Sequence, residues 1–238
     1  MRINKLLSNY GYCSRKEANR WIEDGRLIVN GEPCRLGQWV EVTDRILLDG
    51  EPIVPKDKIY LLFNKPVGIV STAESGERNN LIDYLAYPEY IFPVGRLDKD
   101  SQGLMLLTND GDLANQVLAA ENGHEKLYAV SVDQPITAEF LEGMARGVLV
   151  DGQMTRPCEL IPQGPKSFHI ILSQGLNRQI RKMCWTFGYK VLKLERLRII
   201  NLELGDLPIG KYRLVELEEL ENLKSAIGMS EPNRPFPL

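Results

Sequence analysis

The 238-residue sequence is poor in the residues on which common hydrolytic and metal chemistries depend. It has two histidines, His124 and His169, and neither is near a candidate nucleophile or a second ligand, so Ser-His and Cys-His catalysis have little support. The four cysteines share no short spacing, which argues against a zinc site and a disulfide framework. Phosphate loops and dinucleotide fingerprints are also missing. We therefore expect no metal and no cofactor, and chemistry that uses carboxylate, Arg, Lys or Tyr side chains.

Long apolar runs are missing too. No segment approaches the roughly 20 apolar residues that would cross a bilayer, and residues 1–5 lead into a polar amphipathic segment instead of a secretory signal. The composition, with 43% hydrophobic and 26% charged residues, is that of an ordinary globular protein. We expect a cytoplasmic protein without a membrane partner.

The formal net charge of −3 argues mildly against a nucleic-acid partner, but binding depends on where the charge lies. Between residues 174 and 198 a single acid, Glu195, stands among seven basic residues. These are Arg178, Arg181, Lys182, Lys190, Lys193, Arg196 and Arg198. The acidic excess lies elsewhere, notably between residues 216 and 221.

Residues 1–54 carry the signals of a small helix-hairpin domain. Apolar residues at 3, 6, 7 and 10 form one helical stripe, and Ser14 and Glu17 have the spacing of a capping box that begins a second helix. Asn30-Gly31 is a strong hairpin-turn signal after a short apolar strand. Two short helices packed on a small hairpin sheet are predicted.

Residues 55–58 combine Pro with charges and are interpreted as a linker to a larger α+β domain over residues 59–223. Recurring hairpin signals predict a mostly antiparallel mixed sheet flanked by helices. Strands are expected at 59–63, 69–72, 104–108, 127–132, 148–150, 168–172 and 191–200, and helices at 81–85, 112–120, 137–146 and 177–187. Residues 224–238, which include three prolines, are expected to be a mobile tail.

The N-terminal pattern resembles a small RNA-binding domain shared by a ribosomal small-subunit protein, tyrosyl-tRNA synthetases and many RNA-modifying enzymes. The resemblance is carried by residues 13–18 (CSRKEA), 29–31 (VNG) and the stretch from 40 to 54. Taken alone, basic residues on one helix face are most simply a solvated surface. The resemblance implies instead that Arg15, Lys16 and Arg20 contact RNA.

The most informative stretch is residues 95–104 (GRLDKDSQGL), a polar loop with glycine at both ends that leads into an apolar strand. It closely resembles the catalytic motif of the ribosomal RNA pseudouridine synthases of the RsuA type, which modify single sites in small- or large-subunit rRNA. Residues 60–68 (YLLFNKPVG), 125–130 (EKLYAV) and 175–183 (GLNRQIRKM) match in the same order. The 99–103 variant and the 196–201 stretch look closest to the large-subunit (23S rRNA) F-type enzyme.

By this resemblance Asp98 is the catalytic carboxylate, and it either attacks ribose C1′ or removes the 2′-proton. Tyr128 is expected to stack on the target base near the proton that leaves C5. Arg181 is expected to form an ion pair with Asp98. Arg96 would enter the RNA stack as the base flips out.

Three further basic residues are predicted to support RNA binding. Arg178 and Lys182 fall on the polar face of the 177–187 helix and are assigned to phosphates. Lys65 precedes a proline in a segment that the resemblance places along the cleft wall. The expected partner is ribosomal RNA or a pre-ribosomal particle, bound by a monomer without a small-molecule cofactor.

Two other functions remain open from the sequence. A non-catalytic rRNA-binding or ribosome assembly factor would use the same N-terminal domain and basic segment. A glycoside hydrolase could use Asp98 against a sugar carbon, but such enzymes usually need a second carboxyl group about 5 to 10 Å away as proton donor.

Overall fold

The N-terminal residues form the predicted helix-hairpin unit. The computed structural model describes residues 1–72, 79–119 and 123–229. Two helices pack on a four-stranded sheet of order β2-β1-β3-β4. The elements are α1 (Ile3–Asn9), α2 (Arg15–Glu23), β1 (Leu27–Val29), β2 (Glu32–Pro33), β3 (Ile46–Leu48) and β4 (Glu51–Pro52).

Local sequence signals explain this unit. The Ser14 hydroxyl accepts a hydrogen bond from the Glu17 N–H and caps α2, as the sequence predicts. Asn30 and Gly31 have φ values of 54° and 89°, the left-handed pair that a type I′ hairpin requires. Apolar residues of both helices and the strands form one separate hydrophobic core.

The rest of the chain is built on a nine-stranded mixed sheet of order β11-β12-β8-β13-β7-β5-β15, with β14 paired to β13 and β6 to β7. Its strands are β5 (Tyr60–Lys65), β6 (Phe92–Pro93), β7 (Gln102–Thr108), β8 (Lys126–Val132), β11 (Glu159–Gly164), β12 (Ser167–Leu172), β13 (Val191–Ile199), β14 (Leu202–Glu203) and β15 (Tyr212–Leu214). A separate hairpin holds β9 (Leu149–Val150) and β10 (Gln153–Met154). Among the described strands β7 and β13 pair in parallel and the other pairs are antiparallel, which confirms the α+β prediction.

Five helices flank this sheet, four of them at predicted positions. They are α3 (Leu81–Leu85), α4 (Gly111–Leu118), α5 (Ala138–Ala145), α6 (Gln179–Thr186) and α7 (Leu217–Ala226). The sequence analysis did not predict α7, which begins at a capping box formed by Glu216 and Glu219. The predicted domain end at residue 223 is wrong, because α7 continues beyond it and Ile227 is buried in the core. Residues 230–238 of the predicted tail lie outside the described residues.

The neighbouring strands β5 and β7 are buried on both faces. Leu62 and Leu104 lie in one hydrophobic core, while Phe63 and Met105 lie in another on the opposite face. Burial on both sides explains why the sequence there is continuously apolar. The loop that precedes β7 is therefore attached to a strand that packs against hydrophobic cores on both faces.

One further difference concerns a predicted strand. Residues 69–72, predicted as a strand, contribute a single bridge between Val70 and Asn80. In the described part of the chain, no helix is long and apolar enough to cross a membrane.

Candidate active site

The loop formed by residues 95–101 is fixed through its backbone carbonyl groups. Five consecutive carbonyl oxygens each accept a hydrogen bond. Leu97 O accepts from the Ser71 hydroxyl (2.7 Å), Asp98 O from the Ser101 N–H (3.0 Å) and Lys99 O from the Gly68 N–H (2.7 Å). Asp100 O accepts from Arg181 Nη2 (2.9 Å) and Ser101 O from Lys65 Nζ (2.8 Å). The loop cannot change conformation without leaving some of these buried groups unpaired. The side chain of Asp98 is thus presented by a rigid backbone.

Asp98 is half-buried, with 29% of its side chain exposed, and its nearest cation is Arg178. Arg178 Nη1 lies 3.7 Å from Asp98 Oδ2, and the same guanidinium donates two hydrogen bonds to Asp100, at 3.0 and 2.9 Å. Arg178 adopts a left-handed conformation (φ 53°) just before α6, which is uncommon for a residue other than glycine. The hydrogen bonds from Arg178, aided by the charge of Arg181, lower the pKa of Asp100.

The predicted ion pair between Arg181 and Asp98 is wrong. Arg181 Nε lies 3.4 Å from Asp100 Oδ2, and Nη1 donates to Val191 O. The reason is geometric: Arg178 precedes the first turn of α6 and reaches both carboxylates of the loop, whereas Arg181 lies inside the helix and reaches only Asp100 and Ser101 of that loop. Arg178 therefore occupies the position that the sequence analysis gave to Arg181.

A cleft of about 450 Å³ brings the predicted residues together. Its lining includes Asp98, Arg96, Tyr128 and Arg178, which are far apart in sequence. The volume is within the range of small-molecule pockets and is large enough for one nucleoside. Arg96 is exposed, whereas Tyr128 is half-buried on β8.

The sequence analysis missed three titratable residues of the same cleft: His124, Lys126 and Arg196. The strand alternation of β8 places Lys126 on the face of Tyr128, a signal that was available from the sequence. Burial lowers the pKa of Lys126, and the nearby charge of Arg196 acts in the same direction. His124 lines the same cleft as Asp98, which its position in the sequence did not indicate.

Lys65 does not occupy an RNA-binding position. Its side chain is fully buried, and Nζ donates to Pro66 O and Ser101 O. Burial lowers the pKa of Lys65 to about 8, against the opposing effect of Asp100 and Asp98. The predicted contact with RNA is corrected to an internal support of the loop.

The basic segment between residues 174 and 198 is largely paired within the protein. Lys182 pairs with Asp151, Lys193 with Glu195 and Arg198 with Glu125. These partners neutralise part of the positive charge that the local sequence suggested. On α2, by contrast, Arg15, Lys16 and Arg20 are exposed, as a contact surface requires.

Comparison with known proteins defines the class. Residues 59–185 match the family described as RNA pseudouridylate synthase, and residues 1–46 match the S4 domain. The chain therefore belongs to the RNA pseudouridine synthase family, whose members isomerise uridine in RNA.

Three individual relatives show how similar the chain is to known members of the family. The chain is 49% identical to the dual-specificity RNA pseudouridine synthase RluF of Salmonella typhi, over 98% of this chain and 82% of the relative. It is 30% identical to the ribosomal large subunit pseudouridine synthase B of Bacillus subtilis, over 94% and 96% of the two chains. A crystal structure of a pseudouridylate synthase superposes with a TM-score of 0.70 at 27% identity, covering 94% of this chain and 99% of that one.

Proposed function

We propose that this chain isomerises a specific uridine of ribosomal RNA, in the large subunit (23S rRNA), to pseudouridine with Asp98 as its catalytic carboxylate. The observation that carries the proposal is a half-buried carboxylate on a rigid loop, in a nucleoside-sized cleft beside Tyr128 and Arg178. The large-subunit substrate is suggested by the name of the Bacillus relative, and the RNA-binding role by the S4 match.

The reaction breaks the C1′–N1 bond, rotates the uracil and forms a C1′–C5 bond. Asp98 either attacks C1′ or removes the 2′-proton, and both routes are redox-neutral. Arg178 orients the Asp98 carboxylate, which is the role the sequence analysis gave to Arg181. Tyr128 stacks on the flipped base and lies near the proton that leaves C5, and Arg96 fills the gap in the RNA stack.

RNA binding outside the cleft is assigned to Arg15, Lys16 and Arg20 on the exposed face of α2. Lys182 must leave Asp151 before it can bind a phosphate, so its contribution to affinity is expected to be smaller. The proposed enzyme acts as a monomer in the cytoplasm, on rRNA or a pre-ribosomal particle.

The glycoside hydrolase alternative is disfavoured by the second carboxylate near Asp98. That group is Asp100, which Arg178 and Arg181 hold in hydrogen bonds and ion pairs. Its lowered pKa keeps it ionised, so it cannot donate the proton that a glycosidase needs. Family membership argues against the non-catalytic assembly factor.

The catalytic assignment is tested with Asp98→Asn, which keeps the shape of the side chain and removes its charge. Tritium release from C5-tritiated uridine in an rRNA transcript should fall by at least about 1000-fold, since both routes need the carboxylate. Asp206→Asn, in an exposed turn outside the cleft lining, should react at the wild-type rate. Substantial turnover by folded Asp98→Asn would overturn the assignment.

The rRNA substrate is tested separately in cells. Site-resolved chemical mapping of rRNA from a deletion strain should reveal the loss of a pseudouridine. Wild-type protein should restore that pseudouridine, and Asp98→Asn should not. Unchanged pseudouridine in the rRNA of the deletion strain would overturn the substrate proposal.

A further inference from the structure

Arg196 is a buried cation that has no ion-pair partner among residues 1–72, 79–119 and 123–229. Only 2% of the residue is exposed, although it lines the cleft that contains Asp98. Nε donates to Leu104 O at 2.7 Å, while the buried Nη2 has no hydrogen-bond partner in the part of the chain that the structure describes. Within the described residues no carboxylate lies at salt-bridge distance from its guanidinium, and Lys126 is a second nearby cation.

The sheet directs this cation toward the place where the base should bind. Arg196 on β13 is the direct cross-strand partner of Tyr128 on β8, and opposite side chains of an antiparallel pair lie about 5 Å apart at Cβ. On its other side Arg196 pairs with Gly103, immediately after the loop that carries Asp98. Arg196 is thus connected by the sheet to both residues that are proposed to hold the uridine.

An unpaired buried charge and an unpaired buried N–H are both costly, so such groups often meet a ligand. The missing partner must be an anion or a strong acceptor that enters the cleft. A flexible surface cation would be enough to bind a phosphate. A cation that is fixed in the cleft lining beside Tyr128 is better placed to contact the uracil ring.

We propose that Arg196 is a substrate-contacting catalytic residue that hydrogen-bonds the uracil oxygen on which negative charge accumulates when the C1′–N1 bond breaks. This inference rests on the proposed function. The bonding pair leaves with the base and spreads over N1, O2, C5 and O4, and electrons at C5 later form the C1′–C5 bond as the Asp98 ester is released or the 2′-proton returns. The C5 proton is then lost and N1 takes up a proton, which gives pseudouridine. On the sugar side the charge is balanced by an ester to Asp98 or by transfer of the 2′-proton to it. Arg196 neither gains nor loses a proton.

The experiment compares uridine with 5-fluorouridine at the target position of the same rRNA transcript. Fluorine withdraws electrons and stabilises the uracil anion, so the substituted base depends less on help from the protein. Arg196→Met removes the charge and keeps an unbranched side chain, and loss of the substrate nucleoside is followed under single-turnover conditions with saturating enzyme.

Arg196→Met should slow the uridine reaction by about 100-fold, as expected for removal of one donor to a developing oxyanion. The loss on 5-fluorouridine should shrink to about tenfold or less because the leaving base carries its charge more easily. The matched control Arg198→Met lies two residues further along β13, pairs with Glu125 outside the cleft lining and should leave both rates unchanged.

Equal losses on the two substrates would reduce Arg196 to a structural role, and a rate within about threefold of wild type on uridine would exclude any role. If Arg196→Met does not fold, the ratio of the two rates is measured in Arg196→Lys, where it should also exceed the wild-type ratio; an unchanged ratio there overturns the proposal. If the proposed function itself is wrong, a different result is expected: the wild-type protein is inactive on the rRNA transcript, or Asp98→Asn remains active.

Discussion

At the scale of single residues, Lys65 supports the candidate site by holding the end of the loop that carries Asp98. Its ammonium group is fully buried and binds Ser101 O at the end of the loop that presents Asp98. A buried cation costs stability unless it is well paired, and here the acceptors are two neutral carbonyl groups helped by nearby carboxylates. Its donors hold the backbone of the loop in place.

The lowered pKa of Lys65 predicts a specific pH dependence of stability. The unfolded chain titrates this lysine near its ordinary 10.5 and the folded chain near 8, so between these values the unfolded state binds more protons. Stability contributed by Lys65 should therefore rise as the pH increases from 8 to 10. The neutral amine still donates two N–H groups, so its hydrogen bonds can persist.

Urea unfolding at pH 7, 8, 9 and 10 measures this effect as the difference between wild type and Lys65→Met. Lys99→Met removes an exposed lysine from the same loop and controls for a general effect of losing one lysine. A difference that stays flat or declines with pH for Lys65→Met would contradict the assigned shift.

The two arginines of the 177–187 segment should separate in a rate and stability comparison. Arg178→Met should lower the saturated single-turnover rate about 10- to 100-fold, because Asp98 loses its nearest cation. Arg181→Met should instead lower the free energy of unfolding by about 1 to 3 kcal/mol, since Asp100 O and Val191 O lose their donor.

Arg178→Lys, which keeps the charge, should recover part of the rate lost in Arg178→Met. If Arg181→Met is slower than Arg178→Met at equal folded fraction, the original prediction that Arg181 pairs with Asp98 is correct.

At the scale of elements, the parallel contact between β7 and β13 depends on Gly103. A Cβ at this position would lie 2.4 Å from Arg196 O, and its φ of 110° is a conformation that other residues rarely adopt. Both restrictions apply at the point where the loop carrying Asp98 meets the strand carrying Arg196. The glycine therefore sets the separation of these two strands.

Gly103→Ala should destabilise the protein by about 3 kcal/mol, from backbone strain and a clash that no rotamer can relieve. Gly152→Ala is the matched control: its φ is also positive, at 80°, but no atom lies within 4 Å of the added carbon. That control should cost about 1 kcal/mol. Similar losses in both variants, measured by urea unfolding, would mean that the close approach has no energetic consequence.

Sequence periodicity predicted most of these elements but did not predict the partners of their charged side chains. The buried strands and four helices of the larger domain follow from local patterns, whereas α7 was missed because its capping box at Glu216 was interpreted only as an acidic cluster. The partners of Arg178 and Arg198 are carboxylates at Asp100 and Glu125, 78 and 73 residues away. No local pattern predicts such pairs, which is why the assignment of Arg181 failed.

At the scale of the whole molecule, the proposed two-domain division gains support from separate cores and a polar junction. Between them, Lys58 Nζ donates to Asn9 O at 2.6 Å and Lys56 N–H donates to Tyr10 O at 3.0 Å. Asn9 also reaches Asp112 on α4, at 3.5 Å. Polar contacts of this kind can be replaced by water more easily than a shared apolar core.

Removal of residues 1–54 should therefore leave a fragment, residues 55–238, that unfolds in a single cooperative urea transition. The fragment loses Arg15, Lys16 and Arg20, so it should bind rRNA more weakly. Its slope of log affinity against log salt should be shallower by about 0.7 for each lost single-strand contact. At saturating enzyme its single-turnover rate should stay near that of the full chain, because the cleft lining begins at Val94.

A fragment that binds as tightly as the full chain, with the same salt slope, would show that α2 does not make the proposed RNA contacts. Non-cooperative unfolding would show that the two cores depend on each other.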